Sequence, residues 1–252
     1  MTLHHPPPAP VAVVLVAGVG ERLRPVTSDR PKALVAIGEE TLLARSLRLL
    51  VAHGVQQVVL ATGYRDDAVR AATRSPAVPV HYCLNPAYDR TQNSMSLLAC
   101  EQAVGGRSFY KLDGDLLFCP EVLHRLDRSD AGIVAAVDRR AMLAAEEMKV
   151  QIGADARTIQ AFGKQLSPAA CHGESIGIER VNGFAVSRLF RGLASARDRG
   201  DTQLYYEDIY ARLIQREGVV AEAVDVSDLP WAEVDTADDL MAARQLVARG
   251  VL

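Results

Sequence analysis

No apolar run in this 252-residue chain approaches the ~20 residues a membrane helix needs. The opening MTLHHPPPAP lacks the basic-then-apolar order of a secretion signal. Residues 1–10 are therefore expected to form a flexible leader to a cytoplasmic protein, with residues 11–252 as a single domain. Cysteine is sparse and scattered: Cys83, Cys100, Cys119 and Cys171 form no Cys-x-x-Cys pair, which points to reduced thiols and away from disulfides or zinc. The six histidines make no His-x-x-x-His pair, and Cys171-His172 alone is weak grounds for a metal. An excess of positive charge is absent too. At net charge −3 and pI about 6.1, nothing suggests a nucleic-acid or membrane-surface partner. No Ser/His/Asp or Cys/His nucleophile set stands out, so covalent catalysis is not indicated.

What is present is alternation. VAVVLVAG is a continuous apolar run ending in glycine, the pattern of a strand buried on both faces. TLLARSLRLLVAHG has apolar residues at helical spacing and closes on Gly54. Strand, short helix and strand follow in QQVVLATG, DDAVRAATR and VPVHYCL, then a helix in SMSLLACEQAV and a strand in SFYKLDGD. Such alternation implies parallel pairing with right-handed crossovers, an α/β Rossmann-like sheet. Beyond about Asp130 the strand-like runs AGIVAAVD, MKVQIG, RTIQAFG and SIGIERVNGFAVS crowd together and predict an antiparallel extension. Two helices near 187–196 and 205–215, a strand at VVAEAVDV and a closing helix over 237–248 complete the reading.

Directly behind the first strand lies VAGVGERLRPVTSDRPKAL, two close glycines followed by three arginines and a lysine. In open α/β sheets ligands bind beyond the carboxyl ends of the strands. Gly18 and Gly20 let backbone N–H groups approach a phosphate, and Arg22 and Lys32 offer charge. The bland alternative is a glycine turn with surface arginines. A dinucleotide fingerprint fails, because Leu23 stands where its third glycine belongs, and a Walker A loop fails for want of Gly-Lys-Ser/Thr.

The loop resembles the signature L-x-A-G-x-G-x-R-L-x-P-x-T…P-K-x-L of the nucleotidyltransferase superfamily, carried here by Leu15, Ala17, Gly18, Gly20, Arg22, Leu23, Pro25, Thr27, Pro31, Lys32 and Leu34. The resemblance implies that Ala17, Gly18 and Gly20 wrap a triphosphate while Arg22 and Lys32 act on it during transfer. Transfer of that kind calls for Mg²⁺ on carboxylates at strand ends. KLDGDLLF supplies Asp113 and Asp115, and WAEVDTADDL supplies Glu233 and Asp235. Alone, these read as a turn and a helix cap. With the loop they match the superfamily's metal aspartates, a role carried to Asp115 and Asp235, with Asp113 beside the nucleotide.

Four further stretches resemble cytidylyltransferases of the choline-phosphate and aminoethylphosphonate type. They are QNSMSLLAC (Asn93, Ser96, Leu97), EEMKVQI (Lys149), GESIGIERV (Glu174) and YYEDIY (Tyr206, Glu207). The resemblance implies CTP as donor, with Asn93 near the nucleotide and Lys149, Ser96 and Glu174 near the acceptor. Met95 departs from the aromatic residue many relatives carry. Tyr206, Glu207 and Trp231 would suit an ammonium end, or else the tyrosines pack in the core and the acids favour a helix start. The expected reaction moves CMP from CTP to phosphocholine, 2-aminoethylphosphonate or 2-hydroxyethylphosphonate, releasing pyrophosphate. The competing expectation is a sugar-1-phosphate nucleotidyltransferase. A homodimer is left open.

Overall fold

The computed structural model describes residues 10–74, 76–140 and 143–252, so the leader falls outside it except for Pro10, whose carbonyl accepts from the Gln56 amide. The first half runs β1 (Val11–Leu15), β2 (Ala36–Ile37), β3 (Glu40–Thr41), α1 (Leu42–Ala52), β4 (Gln57–Thr62), α2 (Asp66–Ala72), β5 (Val80–Leu84), α3 (Asn93–Leu98) and α4 (Glu101–Val104). It continues through β6 (Phe109–Asp113), β7 (Leu116–Phe118), α5 (Glu121–Leu126) and β8 (Ile133–Asp138). The second half holds β9 (Lys149–Ile152), β10 (Ile159–Phe162), β11 (Gly173–Val181), α6 (Phe184–Asp198) and α7 (Tyr206–Glu217). β12 (Ala221–Asp225), β13 (Trp231–Glu233) and α8 (Ala237–Ala248) close the chain.

The main sheet has the order β10-β9-β11-β6-β1-β4-β5, with β8 and β12 joined on beside β11. Strands β6, β1, β4 and β5 run parallel, as the alternation predicted. β11 runs antiparallel to β6, β8 and β9, while β12 lies parallel to β8. Residue alternation along β1 sends Val11, Val13 and Leu15 into one core cluster and Ala12 and Val14 into the other. This is why the run is apolar without a break. Burying each of its valines contributes roughly 1.5–3 kcal/mol before the entropy of ordering is charged against it.

Two expectations need correction. The helix over SMSLLACEQAV is two short helices, α3 and α4, joined through Cys100. The strand-like stretch ending in FAVS stops at Val181, and Phe184 starts α6 after Gly183. Small elements passed unnoticed: the ribbon of β2 and β3, α5, and the antiparallel pair β7 and β13. The last of these matters most. It brings Glu233 opposite Leu116, and the Val234 amide donates to the Asp115 carbonyl at 3.0 Å. Two acidic segments far apart in sequence are thereby joined at the carboxyl end of the sheet.

Candidate active site

A cavity of about 620 Å³ opens at that end of the sheet. Ala17, Gly18, Arg22, Asp113, Asp115 and Asp235 line one part of it. Asn93, Ser96, Glu174, Tyr205, Glu207 and Trp231 line the other. Of the remaining residues singled out in the sequence, Gly20 does not line the cavity; its carbonyl accepts from Thr27 Oγ1 at 2.8 Å, and a Cβ there would come within 3.0 Å of Lys32 Cβ.

Lys32 enters from beneath. Its ammonium lies 2.5 Å from Asp115 Oδ2 and bonds Asp235 Oδ1 as well, while the exposed Arg22 guanidinium bonds the other Asp235 oxygen. Desolvation opposes the Lys32 charge, but Asp115 and Asp235 outweigh it and hold the ammonium above the ordinary lysine range. Burial opposes the Asp235 charge too, but Lys32 and then Arg22 outweigh it and hold this carboxyl below the ordinary range. Glu233 completes the group, with one carboxylate oxygen each from Asp115, Glu233 and Asp235 lying within 4.8 Å of one another. Loss of solvent around its carboxyl, then the Asp115 and Asp235 charges, push Glu233 up to about 8, although the residue stays open to water on one side. Asp115 Oδ1 is buried with no hydrogen-bond partner. Three hard oxygen donors, an orphaned carboxylate oxygen and an ammonium drawn between two of the acids all fit a small divalent cation such as Mg²⁺. Asp235 is also tied to the start of α8, where the Asp239 carboxylate accepts from its amide at 3.1 Å and from that of Thr236 at 2.8 Å.

The other part of the cavity departs further from expectation. Lys149 is not brought to it. Its ammonium is 2% exposed and donates to the carbonyls of Ala145, Glu147 and Lys164, at 3.4, 3.2 and 2.6 Å. Three carbonyl acceptors satisfy all its donors, so it ties together the loops that carry Glu146, Glu147 and Lys164 along the wall. Tyr206 is fully buried and lies behind the wall, leaving Tyr205 to face the cavity. Asp208 accepts from the Tyr205 amide at 2.8 Å, an ordinary helix-start contact. Asn93 caps a helix other than its own, its Oδ1 accepting from the Tyr206 amide at 3.1 Å. Ser96 Oγ accepts from Asn85 Nδ2 at 3.1 Å. Trp231 Nε1 donates to Asp138 at 2.8 Å and keeps its ring on the cavity.

Glu207 is 4% exposed, lines the cavity, and has a buried Oε2 with no partner. Burial raises its pKa to about 8, Lys111 opposing and the Glu179 and Asp113 charges adding to the rise. Glu174 is pushed up to about 7 by burial and then by Glu147 and Asp138. Sequence reasoning missed Lys111 and Glu179 altogether. Their signal was a charged residue at an inward position of an otherwise apolar strand, SFYKLDGD and SIGIERV.

A glycine loop whose basic residues pair directly with strand-end carboxylates thus marks one end of a cavity at the carboxyl edge of this α/β sheet. The chain belongs to the MobA-like NTP transferase domain family, whose model matches residues 12–212. It is 32% identical over 237 residues to the bifunctional IPC transferase and DIPP synthase of Rubrobacter xylanophilus, covering 94% of this chain and 51% of that protein. It is also 32% identical over 249 residues to the CMP-5'-(3-aminopropyl)phosphonate synthase of Streptomyces rubellomurinus, covering 94% of this chain and 39% of that one. The chain thus spans about half or less of the length of these curated relatives. The fold is that of the inositol-1-phosphate CTP transferase from T. maritima, at TM-score 0.76 and 22% identity, covering 94% of this chain and 96% of the other. The CTP:phosphocholine cytidylyltransferase from Streptococcus pneumoniae shares it at TM-score 0.71 and 16% identity, covering 95% and 99%. No helix among the described residues is long and apolar enough to cross a membrane.

Proposed function

We propose that this domain transfers CMP from CTP to a small phosphate or phosphonate acceptor and releases pyrophosphate. The observation that carries the reading is the division of one cavity into a cationic, carboxylate-bearing part and a half-buried acidic part with an unpartnered carboxyl. The aminopropylphosphonate synthase, a relative named for a CMP-phosphonate product, supports cytidine over the other bases.

In the proposed reaction an acceptor oxygen attacks the α-phosphorus in line. A new P–O bond forms as the bond to the β-phosphate oxygen breaks, and the electron pair leaves on pyrophosphate. Backbone N–H groups of the loop at Ala17 and Gly18 cradle phosphate oxygens. Arg22 and Lys32 exchange carboxylate partners for phosphate oxygens, meeting negative charge where it grows. Asp115, Glu233 and Asp235 would hold Mg²⁺, which supplies countercharge to the triphosphate when bound. Asn93, through its cap on α7, fixes the acceptor wall against the nucleotide side, and Glu174, Ser96 and Trp231 line the acceptor space. Holding both reactants in place provides most of the acceleration such transfers require.

Glu207 favours an acceptor carrying an ammonium group, because a buried carboxyl without a partner becomes a paired charge when a cation binds. The test is pyrophosphate release with CTP, UTP, dTTP, ATP and GTP against phosphocholine, 2-aminoethylphosphonate, 2-hydroxyethylphosphonate, inositol-1-phosphate and glucose-1-phosphate. CTP with an amine-bearing acceptor is expected to turn over fastest. A preference for UTP or dTTP with glucose-1-phosphate would move the protein to nucleotide-sugar synthesis.

A further inference from the structure

Beneath the cavity lies a cation to which the proposed chemistry gives no role. Lys111 sits in the middle of β6, 0% exposed, opposite the equally buried Glu179 of β11 in the strand register. A buried ammonium is costly unless its charge and all its donors are satisfied. Lys111 Nζ lies 3.0 Å from Glu179 Oε2 and 3.1 Å from Asp113 Oδ2. It donates to the Gly177 carbonyl at 3.1 Å and to the Tyr206 hydroxyl, whose ring also lies under the ammonium at 3.7 Å.

Two of these groups, the Lys111 ammonium and the Tyr206 hydroxyl, meet at one carboxylate oxygen, Asp113 Oδ2. Lys111 and Asp113, two residues apart in a strand, share a face of the sheet. The Tyr206 hydroxyl has a single proton to share between Asp113 Oδ2, at 3.2 Å, and Glu179 Oε1, at 3.3 Å. Strand β11 shifts register between Ser175 and Glu179, with Gly177 at φ +79° in the shifted stretch. A Cβ at that glycine would come within 2.4 Å of Asp113 Oδ2. The irregular strand, the carbonyl turned to Lys111 and the missing side chain together make the seat in which Asp113 rests. The Asp113 side chain nevertheless lines the cavity and is 27% exposed. It is gripped from behind and presented in front.

Asp113 opens the turn that carries Asp115, while Tyr206 starts α7 and precedes Glu207. Lys111 thus touches Asp113, which lines the nucleotide part of the cavity, and Tyr206, which lies behind the wall of the acceptor part. We propose that Lys111 is a positioning residue: it fixes the Asp113 carboxylate and, with Tyr206, sets the distance between the 113–115 turn and the start of α7, so that acceptor oxygen and α-phosphorus are held in line. The inference rests on the nucleotidyl-transfer reading above, and it differs from a purely structural ion pair in what happens when both charges are removed.

Lys111→Met alone strands the Glu179 charge in the interior and is expected to unfold easily. Lys111→Met/Glu179→Gln removes both charges with side chains of similar size. This double variant should melt close to wild type, with kcat lowered at least ~10-fold and the CTP KM within about 2-fold of wild type. Recovery of wild-type kcat together with stability would show that the pair serves packing alone, and would overturn the inference. Tyr206→Phe keeps both charges and removes only the shared hydroxyl, so it decides the matter if the double variant does not fold. It should lose about 3–10-fold in kcat with the same KM split, and wild-type kcat there is equally fatal. If wild-type protein transfers CMP to no acceptor, the functional reading itself has failed. Mn²⁺ affinity, followed by electron paramagnetic resonance, then tests the positioning role separately. Loosening the turn should weaken Mn²⁺ about 3-fold or more in both variants, and unchanged affinity in a folded variant overturns it.

Discussion

The nucleotide end of the cavity and the buried pair beneath it use charge in opposite ways. At the nucleotide end Lys32, Asp115 and Asp235 keep side-chain exposures of 15%, 18% and 19%, and Arg22 keeps 61%, so their pairs can reopen to water, metal or phosphate. On the floor Lys111 and Glu179 are both fully buried, and their pairing cannot be exchanged without stranding a charge. The chemical need differs in the same sense. In the proposed reaction phosphate and metal come and go, whereas the frame that aligns two substrates stays fixed. A partly solvated ion cluster works as a site, and a dry one works as a fixture.

The sharpest way to break this comparison is at the carboxylates proposed to hold the metal. Asp115→Asn and Asp235→Asn should each leave a folded protein whose turnover falls at least ~10²-fold, because each removes an anionic donor from the proposed ion site. Turnover near wild type with normal Mg²⁺ dependence would show that the wrong carboxylates had been chosen. Lys32→Ala comes next, with kcat expected to fall about 10–100-fold and the CTP KM to change less. Removing the ammonium also leaves Asp115, Glu233 and Asp235 facing one another with only the exposed Arg22 as countercharge, so Mg²⁺ should raise the melting temperature of the variant more than that of wild type. An equal Mg²⁺ response would mean that Lys32 does not neutralise the cluster.

On the acceptor side, Glu207→Gln should raise the KM for amine-bearing acceptors about 5–10-fold and leave the CTP KM unchanged. Equal damage to 2-hydroxyethylphosphonate would remove the case for an ammonium partner. The smallest effect concerns Glu174, held in the fold at about 7 against an ordinary value of 4.5. The folded state binds that proton more tightly than the unfolded chain, so wild-type stability declines as pH rises through this window. Glu174→Gln cannot lose a proton. It should match wild type near pH 5 and melt a few degrees higher near pH 8.5; the same difference at both pH values would rule out a raised Glu174.

Much of this was legible before any coordinates, and the legible parts share a cause. The strands of the parallel half are marked by local hydrophobic pattern, because a strand covered on both faces has to be apolar throughout. The loop motif is local as well: the glycines, Arg22 and Lys32 stand at short fixed spacing, and in the proposed function one stretch of backbone wraps one ligand. The closing helix is marked locally too, by the Asp235-Thr236 cap region at its start, where the structure shows Thr236 and Asp239 capping it reciprocally.

What tertiary structure alone decided is where side chains point once distant strands pair. Lys149 reads as a lysine on a strand in sequence, and only the packing of two loops over it shows that carbonyls take up its three donors. Tyr205 and Tyr206 look interchangeable in sequence, yet one faces the cavity and the other the core, because Tyr205 is the extended residue ahead of α7 and Tyr206 its first helical residue, and the docking of that helix is set elsewhere. Asp115, Glu233 and Asp235 are close only because β13 returns to pair with β7. Local pattern states which residues must be buried or must turn. The partner across the sheet, and with it the charge that each buried group meets, comes from chain folding over long separations, which no short window of sequence contains.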